Sequence, residues 1–234
     1  ARHAVINIDD PHGVRLAADT QLPTTTYSTR GDQANWRAVN LRPNRLGSDL
    51  TLVGPDGSET EMTVPLPGAF NVSNAVAAVV ALVSHGFDLA QLVAEIATLA
   101  GVPGRMERVE AGQQFTVVVD YAHKPEAIEA VLTALRPVTA GRLIVVLGAG
   151  GDRDRGKRPI MGEVAAKLAD VLIVTDDNPR SEDPAAIRSA VLAGTQDAMA
   201  MTSEISDRRE AIAAAVAQAR PGDTVEALMR RCDD

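Results

Sequence analysis

The chain has 234 residues, enough for one or two domains, and 45% of them are hydrophobic, so it can bury a core. The 31 acidic residues outnumber the 23 basic ones, and the net charge of −8 disfavours a general nucleic-acid binder, which normally needs a basic face. One cysteine, Cys232, excludes an intrachain disulfide and a cysteine cage for zinc, and the most apolar window, 75–83, is too short to span a bilayer. We therefore expect a soluble cytoplasmic protein with neither a membrane nor a nucleic-acid partner.

The first hundred residues predict three strands and two helices. A β-rich run precedes a turn signal at 9–13, and two further runs flank a Gly-Pro-Asp-Gly turn, which is typical of a hairpin. Residues 71–84 are apolar on almost every side and predict a buried helix. Asp88 is placed to cap a second helix that ends near Leu99. The predicted strands are 4–8, 50–53 and 60–64.

Residues 101–104 predict a hinge between domains, and after them short apolar runs alternate with amphipathic helices. This rhythm is typical of buried parallel strands joined by helical crossovers, so the fold class is α/β. The predicted strands are 115–119, 143–147 and 171–174, with a fourth beginning at 223–225. The predicted helices are 125–135, 157–169, 184–192 and 207–219.

Ligands bind such a sheet beyond the carboxyl ends of its strands, and the loops there carry charged residues. Asp120 is placed either to accept hydrogen bonds from ribose hydroxyls or to cap the next helix. The glycine-rich, basic segment 148–158 predicts an anion site at a helix N-terminus, and the alternative is a solvated turn. It does not match the full Gly-x-x-x-x-Gly-Lys-Ser/Thr motif of a P-loop, because Arg158 follows Lys157.

Asp177 and Arg180 follow the next strand and predict a site for a zwitterionic amino acid. The carboxylate can hold an ammonium group, and the planar guanidinium can hold a carboxylate. The alternative is a surface ion pair of little energetic consequence.

Three further polar residues have two possible roles each. Arg105 can bridge nucleotide oxygens or pair with Glu107, while Asn71 and Asn74 can read a base edge or cap their helix. His3, His12 and His85 show no metal-ligand spacing, and we assign no catalytic or metal-ligating residue.

Six segments resemble the Mur ligase family in order and spacing. They are 7–10, 66–75, 104–107, 120–123, 148–159 and 177–180. The resemblance implies the C-terminal part of an ATP-binding central domain in residues 1–101, then a Rossmann-like, amino-acid-binding domain with a mostly parallel sheet in 102–234. That second domain is expected to be truncated near residue 225, because residues 226–234 are unlike the Lys-Gly-His-Glu loop of the family and look unrelated to it.

The resemblance implies peptidoglycan precursor synthesis. ATP, with Mg²⁺, would activate the terminal carboxylate of UDP-N-acetylmuramoyl-L-alanyl-D-glutamate, and the amine of meso-diaminopimelate would attack the acyl phosphate. The implied nucleotide contacts are Asn74, Arg105 and Asp120. The implied diaminopimelate contacts are Arg153, Asp177, Asn178, Pro179 and Arg180.

The P-loop and most Mg²⁺ ligands of the family precede the segments found here, so we expect this chain to be inactive alone. The alternative is a non-catalytic amino-acid- or nucleotide-binding module derived from a Mur ligase. A folylpolyglutamate or cyanophycin-type ligase is disfavoured by the Asp-Asn-Pro-Arg sequence at 177–180.

Overall fold

The computed structural model describes residues 2–31, 33–44, 47–196 and 198–228, so Cys232 and the rest of 229–234 lie outside the described residues. The chain divides into two units, residues 1–100 and 101–234. No helix in the described ranges is both long and apolar enough to cross a bilayer.

The first unit is a five-stranded sheet with strands in chain order, parallel from the first to the third and antiparallel afterwards. Its strands are β1 (Ala4–Asn7), β2 (Thr24–Ser28), β3 (Trp36–Asn44), β4 (Gly47–Val53) and β5 (Glu59–Val64). Its helices are α1 (Pro11–Asp19), α2 (Ala69–Val83) and α3 (Leu89–Ile96). The predicted hairpin is confirmed as the antiparallel pair β4–β5.

Helix α2 supplies the core of this unit but is not buried on every side as predicted. Val72, Val76, Val79 and Val80 are buried against the sheet, whereas Leu82 is 39% exposed. Apolar residues at every position therefore did not imply burial at every position, because only one side of the helix meets the sheet.

The segment predicted as a turn at 9–13 begins helix α1 instead. Asp10 accepts hydrogen bonds from the amides of His12 and Gly13, and Pro11 is the first helical residue. Asp at an N-cap and Pro at the following position both favour a helix start, so the same residues that suggest a turn serve here as a cap.

The second unit is a six-stranded sheet in the order β10-β9-β8-β11-β7-β6, parallel except for the short edge strand β6. Its strands are β6 (Glu107–Arg108), β7 (Thr116–Asp120), β8 (Leu143–Leu147), β9 (Val171–Val174), β10 (Met201–Glu204) and β11 (Thr224–Leu228). Its helices are α4 (Pro125–Leu135), α5 (Lys157–Leu168), α6 (Pro184–Leu192) and α7 (Arg208–Gln218). The prediction of an α/β fold with a mostly parallel sheet is confirmed.

Strand β11 lies at the centre of this sheet and continues past the predicted limit near residue 225. It pairs in parallel with β7 on one side and β8 on the other, through Glu226, Ala227 and Leu228. Ladder hydrogen bonds use only the backbone, so these three residues extend the strand although the family pattern appeared to stop before them. The remaining tail, 229–234, lies outside the described residues.

The Glu226 side chain is out of keeping with this central position. It is fully buried between the strand neighbours Val118 and Val145, and its carboxyl oxygens have no hydrogen-bond partner among the described residues. Burial, together with the charge of Asp120, raises the pKa of Glu226 well above its ordinary value of 4.5. At any pH between the unfolded and the raised folded pKa, the folded chain binds a proton on Glu226 that the unfolded chain has released.

We predict that Glu226→Leu raises the free energy of unfolding at pH 8 by roughly 2 kcal/mol, because it removes a buried polar group that lacks a partner. The advantage should be smaller at pH 5, since the folded-state pKa is raised and the parent chain loses stability as the pH rises above the unfolded pKa. Urea unfolding followed by circular dichroism at both pH values measures this difference.

Glu226→Gln is the matched control, because it keeps the volume and polarity of the side chain but cannot ionise. Its stability relative to Glu226→Leu should not change between pH 5 and pH 8. The prediction fails if the parent chain shows the same stability difference from Glu226→Leu at the two pH values.

Candidate functional site

Three loops of the second unit enclose a cleft of about 760 Å³ at the carboxyl edge of the sheet. They follow β7, β8 and β9, and Leu228 at the end of β11 also lines the cleft. This is the edge at which open parallel sheets bind ligands, and the volume suits a small molecule.

The cleft brings together four of the five residues assigned to diaminopimelate: Arg153, Asp177, Asn178 and Arg180. Arg153 is exposed on the loop after β8, and the other three lie on the loop after β9. The fifth, Pro179, is absent from the lining and packs its carbonyl oxygen against Gly151 instead. Guanidinium and carboxylate groups therefore share one cleft.

The loops after β8 and β9 are joined through their backbones. The Gly151 amide donates to the Asn178 carbonyl oxygen at 2.8 Å, and Arg180 Nη1 donates to the Gly151 carbonyl oxygen at 2.7 Å. A Cβ at residue 151 would lie 1.9 Å from the Pro179 carbonyl oxygen, so only glycine allows this approach. One nitrogen of the Arg180 guanidinium thus anchors the side chain to Gly151, and Arg180 also lines the cleft.

Two residues in these loops adopt the left-handed backbone conformation, which is uncommon outside glycine. Asp152 and Arg180 both have φ near 50°. The Asp152 carboxylate accepts hydrogen bonds from the Ser181 amide at 3.2 Å and from the Ser181 hydroxyl at 2.8 Å. The Asp152 side chain therefore binds Ser181, the residue that follows Arg180. This contact links the two residues with left-handed backbone and favours a single conformation of the loops.

Glu182 also connects the loops after β8 and β9, and it was not identified from the sequence. Its Oε1 accepts from Arg158 Nη2 at 2.7 Å and from the Asp152 amide at 2.6 Å, and its Oε2 accepts from Arg158 Nη1 at 3.0 Å. The hydrogen bonds from Arg158 and then from Asp152 lower the pKa of Glu182 to about 2. One signal was present: Arg158 shares the buried side of α5 with Met161, where a charged residue needs a partner.

Asp120 does not cap the helix that follows it, so that alternative is wrong. Its two carboxylate oxygens accept from the amides of Met106 at 2.8 Å and Ala122 at 2.7 Å, whereas Lys124 is the N-cap of α4. Burial raises the pKa of Asp120, although these two amides and the charge of Arg105 act in the opposite direction. Asp120 therefore joins the segment before β6 to the loop after β7.

Arg105 lies over the ring of Tyr121, with its guanidinium carbon 4.6 Å from the ring centre. Glu107, the alternative partner of Arg105, accepts from the Gly104 amide at 2.6 Å. Stacking on Tyr121 holds the charged group beside the loop after β7.

The two asparagines of α2 do not cap that helix. The N-cap is Gly68, without a side-chain hydrogen bond, and Asn71 Nδ2 donates to the Pro67 carbonyl oxygen at 2.8 Å. Asn74 is exposed on the next turn. The capping interpretation is therefore wrong for both, and Asn74 presents its amide to solvent.

The 7–10 segment supports the first unit through Asp9. The Asp9 carboxylate accepts from the Ser28 hydroxyl at 2.6 Å and from the Thr29 amide at 3.0 Å. These hydrogen bonds lower the pKa of Asp9 although burial, the largest influence, acts in the opposite direction. Within the described part of the chain, no group of three or more His, Cys, Asp or Glu residues could hold a metal ion.

Comparisons with known proteins match both units. Residues 1–82 match the Mur ligase middle domain, and residues 104–227 match the family described as Mur ligase, glutamate ligase domain. The chain is 49% identical over 230 residues to the UDP-N-acetylmuramoyl-L-alanyl-D-glutamate--2,6-diaminopimelate ligase of Streptomyces coelicolor. That match covers 96% of this chain and 46% of the relative.

Solved structures agree. A structure of UDP-N-acetylmuramoyl-L-alanyl-D-glutamate--2,6-diaminopimelate ligase aligns with a TM-score of 0.67 and 39% identity, over 97% of this chain and 47% of that one. The MurF ligase of Thermotoga maritima, in complex with ADP, shares the fold with a TM-score of 0.73 at 19% identity, over 98% and 50% of the two chains. The chain thus spans about half the length of the relatives it matches. Since the family match at residues 104–227 covers more than half of this chain, the chain belongs to the Mur ligase family.

Proposed function

We propose that this chain carries the amino-acid-binding half of a ligase that adds meso-diaminopimelate to UDP-N-acetylmuramoyl-L-alanyl-D-glutamate in peptidoglycan precursor synthesis. The observation that carries the proposal is the placement of Arg153, Asp177 and Arg180 around one cleft. The 49% identity to a relative of that name supports the choice of substrate. We further place the reaction in the cytoplasm.

The groups around the cleft suit an amino acid that is charged at both ends. In this proposal Arg180 receives the distal carboxylate through its planar fork, and Asp177 receives the ammonium group beside that carboxylate. Arg153, on the opposite loop, receives a carboxylate of the same molecule. Lysine lacks the distal carboxylate, so it would leave a cation of the cleft without a partner, and such a site discriminates strongly against it.

The chemistry is amide formation in two steps. A carboxylate oxygen of the nucleotide-linked dipeptide attacks the γ-phosphorus of ATP, so that an acyl phosphate forms and ADP leaves with the electrons of the broken P–O bond. The amine of diaminopimelate then attacks the acyl carbon, the C–N bond forms, phosphate leaves with the electrons of the C–O bond, and the proton of the amine passes to water. Mg²⁺ would neutralise phosphate charge when bound with ATP. The part of this chain is to bind and orient the attacking amino acid, which is a large share of such catalysis.

Nucleotide contacts are proposed for both units. Arg105, stacked on Tyr121, would approach phosphate or ribose oxygens, and the remaining lone pairs of Asp120 would accept from ribose hydroxyls. Asn74, exposed on α2, would face the adenine. We assign the first unit to the ATP-binding central domain and the second to the amino-acid-binding domain.

A second candidate is a non-catalytic module that binds the amino acid or the nucleotide. The observation that favours it is that these 234 residues contain no complete P-loop motif, because Arg158 rather than Ser or Thr follows the Gly-x-x-x-x-Gly-Lys run at 151–157. Binding of diaminopimelate without any phosphate release, even when ATP and the dipeptide substrate are supplied, fits this module and equally fits an isolated ligase half. Reading the coding sequence on either side of this chain for a P-loop separates the two.

We predict that Arg180→Ala weakens binding of meso-diaminopimelate by about 10- to 100-fold, the effect of losing charge-assisted hydrogen bonds. Binding of L-lysine should change by less than about threefold, because lysine has no distal carboxylate to lose. Isothermal titration calorimetry on the full chain measures both affinities. Arg209→Ala, which removes an exposed arginine of α7 outside the cleft, is the control, and an equal loss for the two ligands rejects the assigned role of Arg180.

We also predict that the purified chain releases no phosphate from ATP in the presence of diaminopimelate and the UDP-linked dipeptide. The reason is that these 234 residues contain no complete P-loop motif to cradle the β- and γ-phosphates, since Arg158 stands where the motif has Ser or Thr. A coupled phosphate assay measures the rate, with Arg180→Ala as the blank. Phosphate release that depends on diaminopimelate and disappears in the blank would show that the expectation is wrong.

A further inference from the structure

Several hydrogen-bonding and charged groups surround the Glu182 carboxylate behind the cleft. Glu182 accepts hydrogen bonds from Arg158 Nη1, Arg158 Nη2 and the Asp152 amide, and Arg155 Nε lies 3.2 Å from its Oε2. The side chains of Arg158 and Glu182 are only 4% and 11% exposed. Neither residue lines the cleft, so neither reaches a ligand bound there.

The pair connects the two loops that carry the arginines of the cleft. Arg158 is on the first turn of α5, just after the loop that carries Arg153, and it also donates to the Gly150 carbonyl oxygen at 3.3 Å. Glu182 lies two residues after Arg180. A carboxylate that accepts from both the helix and the Asp152 amide therefore sets the distance between the two loops.

We propose that Glu182 is a positioning residue that fixes the separation of Arg153 and Arg180, and that selectivity for a dicarboxylate amino acid over lysine depends on it without any contact to the ligand. The inference rests on the proposed function. Two charged groups can hold a ligand at both ends only at one separation, whereas a ligand with a single carboxylate tolerates a change in that separation. Loss of Glu182 should therefore act on one ligand more than on the other.

Glutamine cannot replace Glu182 in this arrangement, although it has nearly the same shape. The carboxylate offers acceptors on both oxygens, while the amide of glutamine offers one acceptor and turns N–H donors toward Arg158 or Asp152. Glu182→Gln thus weakens the connection between the two loops with a minimal change in side-chain volume. The low pKa of Glu182, about 2, keeps the parent carboxylate charged at any pH used for binding.

The experiment is calorimetric titration of the full chain with meso-diaminopimelate and with L-lysine. In Glu182→Gln the affinity for diaminopimelate should fall about 10-fold, and the affinity for lysine should change less than about twofold. Glu163→Gln is the matched control, because it removes the same charge from an exposed pair with Lys167 on α5, and it should leave both affinities unchanged. Amide hydrogen exchange at Gly151 and Asp152 should become faster in Glu182→Gln but not in the control.

A merely structural role would lower both affinities together and also lower the midpoint of urea unfolding. If Glu182→Gln does not fold, Ser181→Ala replaces it, since it removes only the exposed hydroxyl contact to Asp152 and should still weaken diaminopimelate binding more than lysine binding.

The two proposals fail in different ways. An unchanged ratio of the two affinities in the folded variant overturns the role of Glu182, while a selective loss in Arg180→Ala keeps the proposed function. If the parent chain binds no diaminopimelate, or Arg180→Ala affects both ligands equally, the proposed function fails and the inference fails with it.

Discussion

The two-point ion pair between Glu182 and Arg158 holds together the part of the molecule in which chemistry is expected. Both partners are almost fully buried, and a buried charge is tolerated only when its partner and its remaining hydrogen bonds are in place. The pair therefore connects the loops after β8 and β9. The backbone contacts of Gly151 join the same two loops, in which Asp152 and Arg180 have the left-handed conformation.

The parallel sheet determines which side chains can meet at the cleft. Strands β7, β8, β9 and β11 all end at the same edge, so residues far apart in sequence face one space. Two side chains also hold the loop after β7 in place. Asp120 accepts from the Met106 and Ala122 amides, and Lys157 Nζ donates to the His123 carbonyl oxygen at 3.0 Å. The central strand β11 is the weak point, because Glu226 places among apolar neighbours a carboxyl group that has no hydrogen-bond partner in the part of the chain that the structure describes.

Sequence patterns predicted the second unit better than the first. The strands 143–147 and 171–174 and the helices 125–135 and 184–192 have the predicted bounds, because buried parallel strands appear as short, uninterrupted apolar runs. Strands β2, β3 and β10 were missed, since they are rich in polar or exposed residues and are recognisable only from their neighbours.

The site was predicted only in part. Because Arg153 and Arg180 follow neighbouring strands, the sequence predicted that they lie in one cleft. The partner of Arg158 lies 24 residues away along the chain, and local spacing does not reveal such a contact. The capping roles suggested for Asn71 and Asp120 failed for a related reason, because the backbone, rather than the residue type, decides which backbone group a side chain reaches.

The most direct test is a crystal structure of the chain with meso-diaminopimelate. We predict one carboxylate of the ligand within hydrogen-bond distance of the Arg180 guanidinium, the other end of the same molecule turned to Arg153, and the Glu182–Arg158 pair unchanged behind them. A ligand bound outside this cleft, or guanidinium groups of Arg153 and Arg180 directed away from a common space, would contradict the central claim.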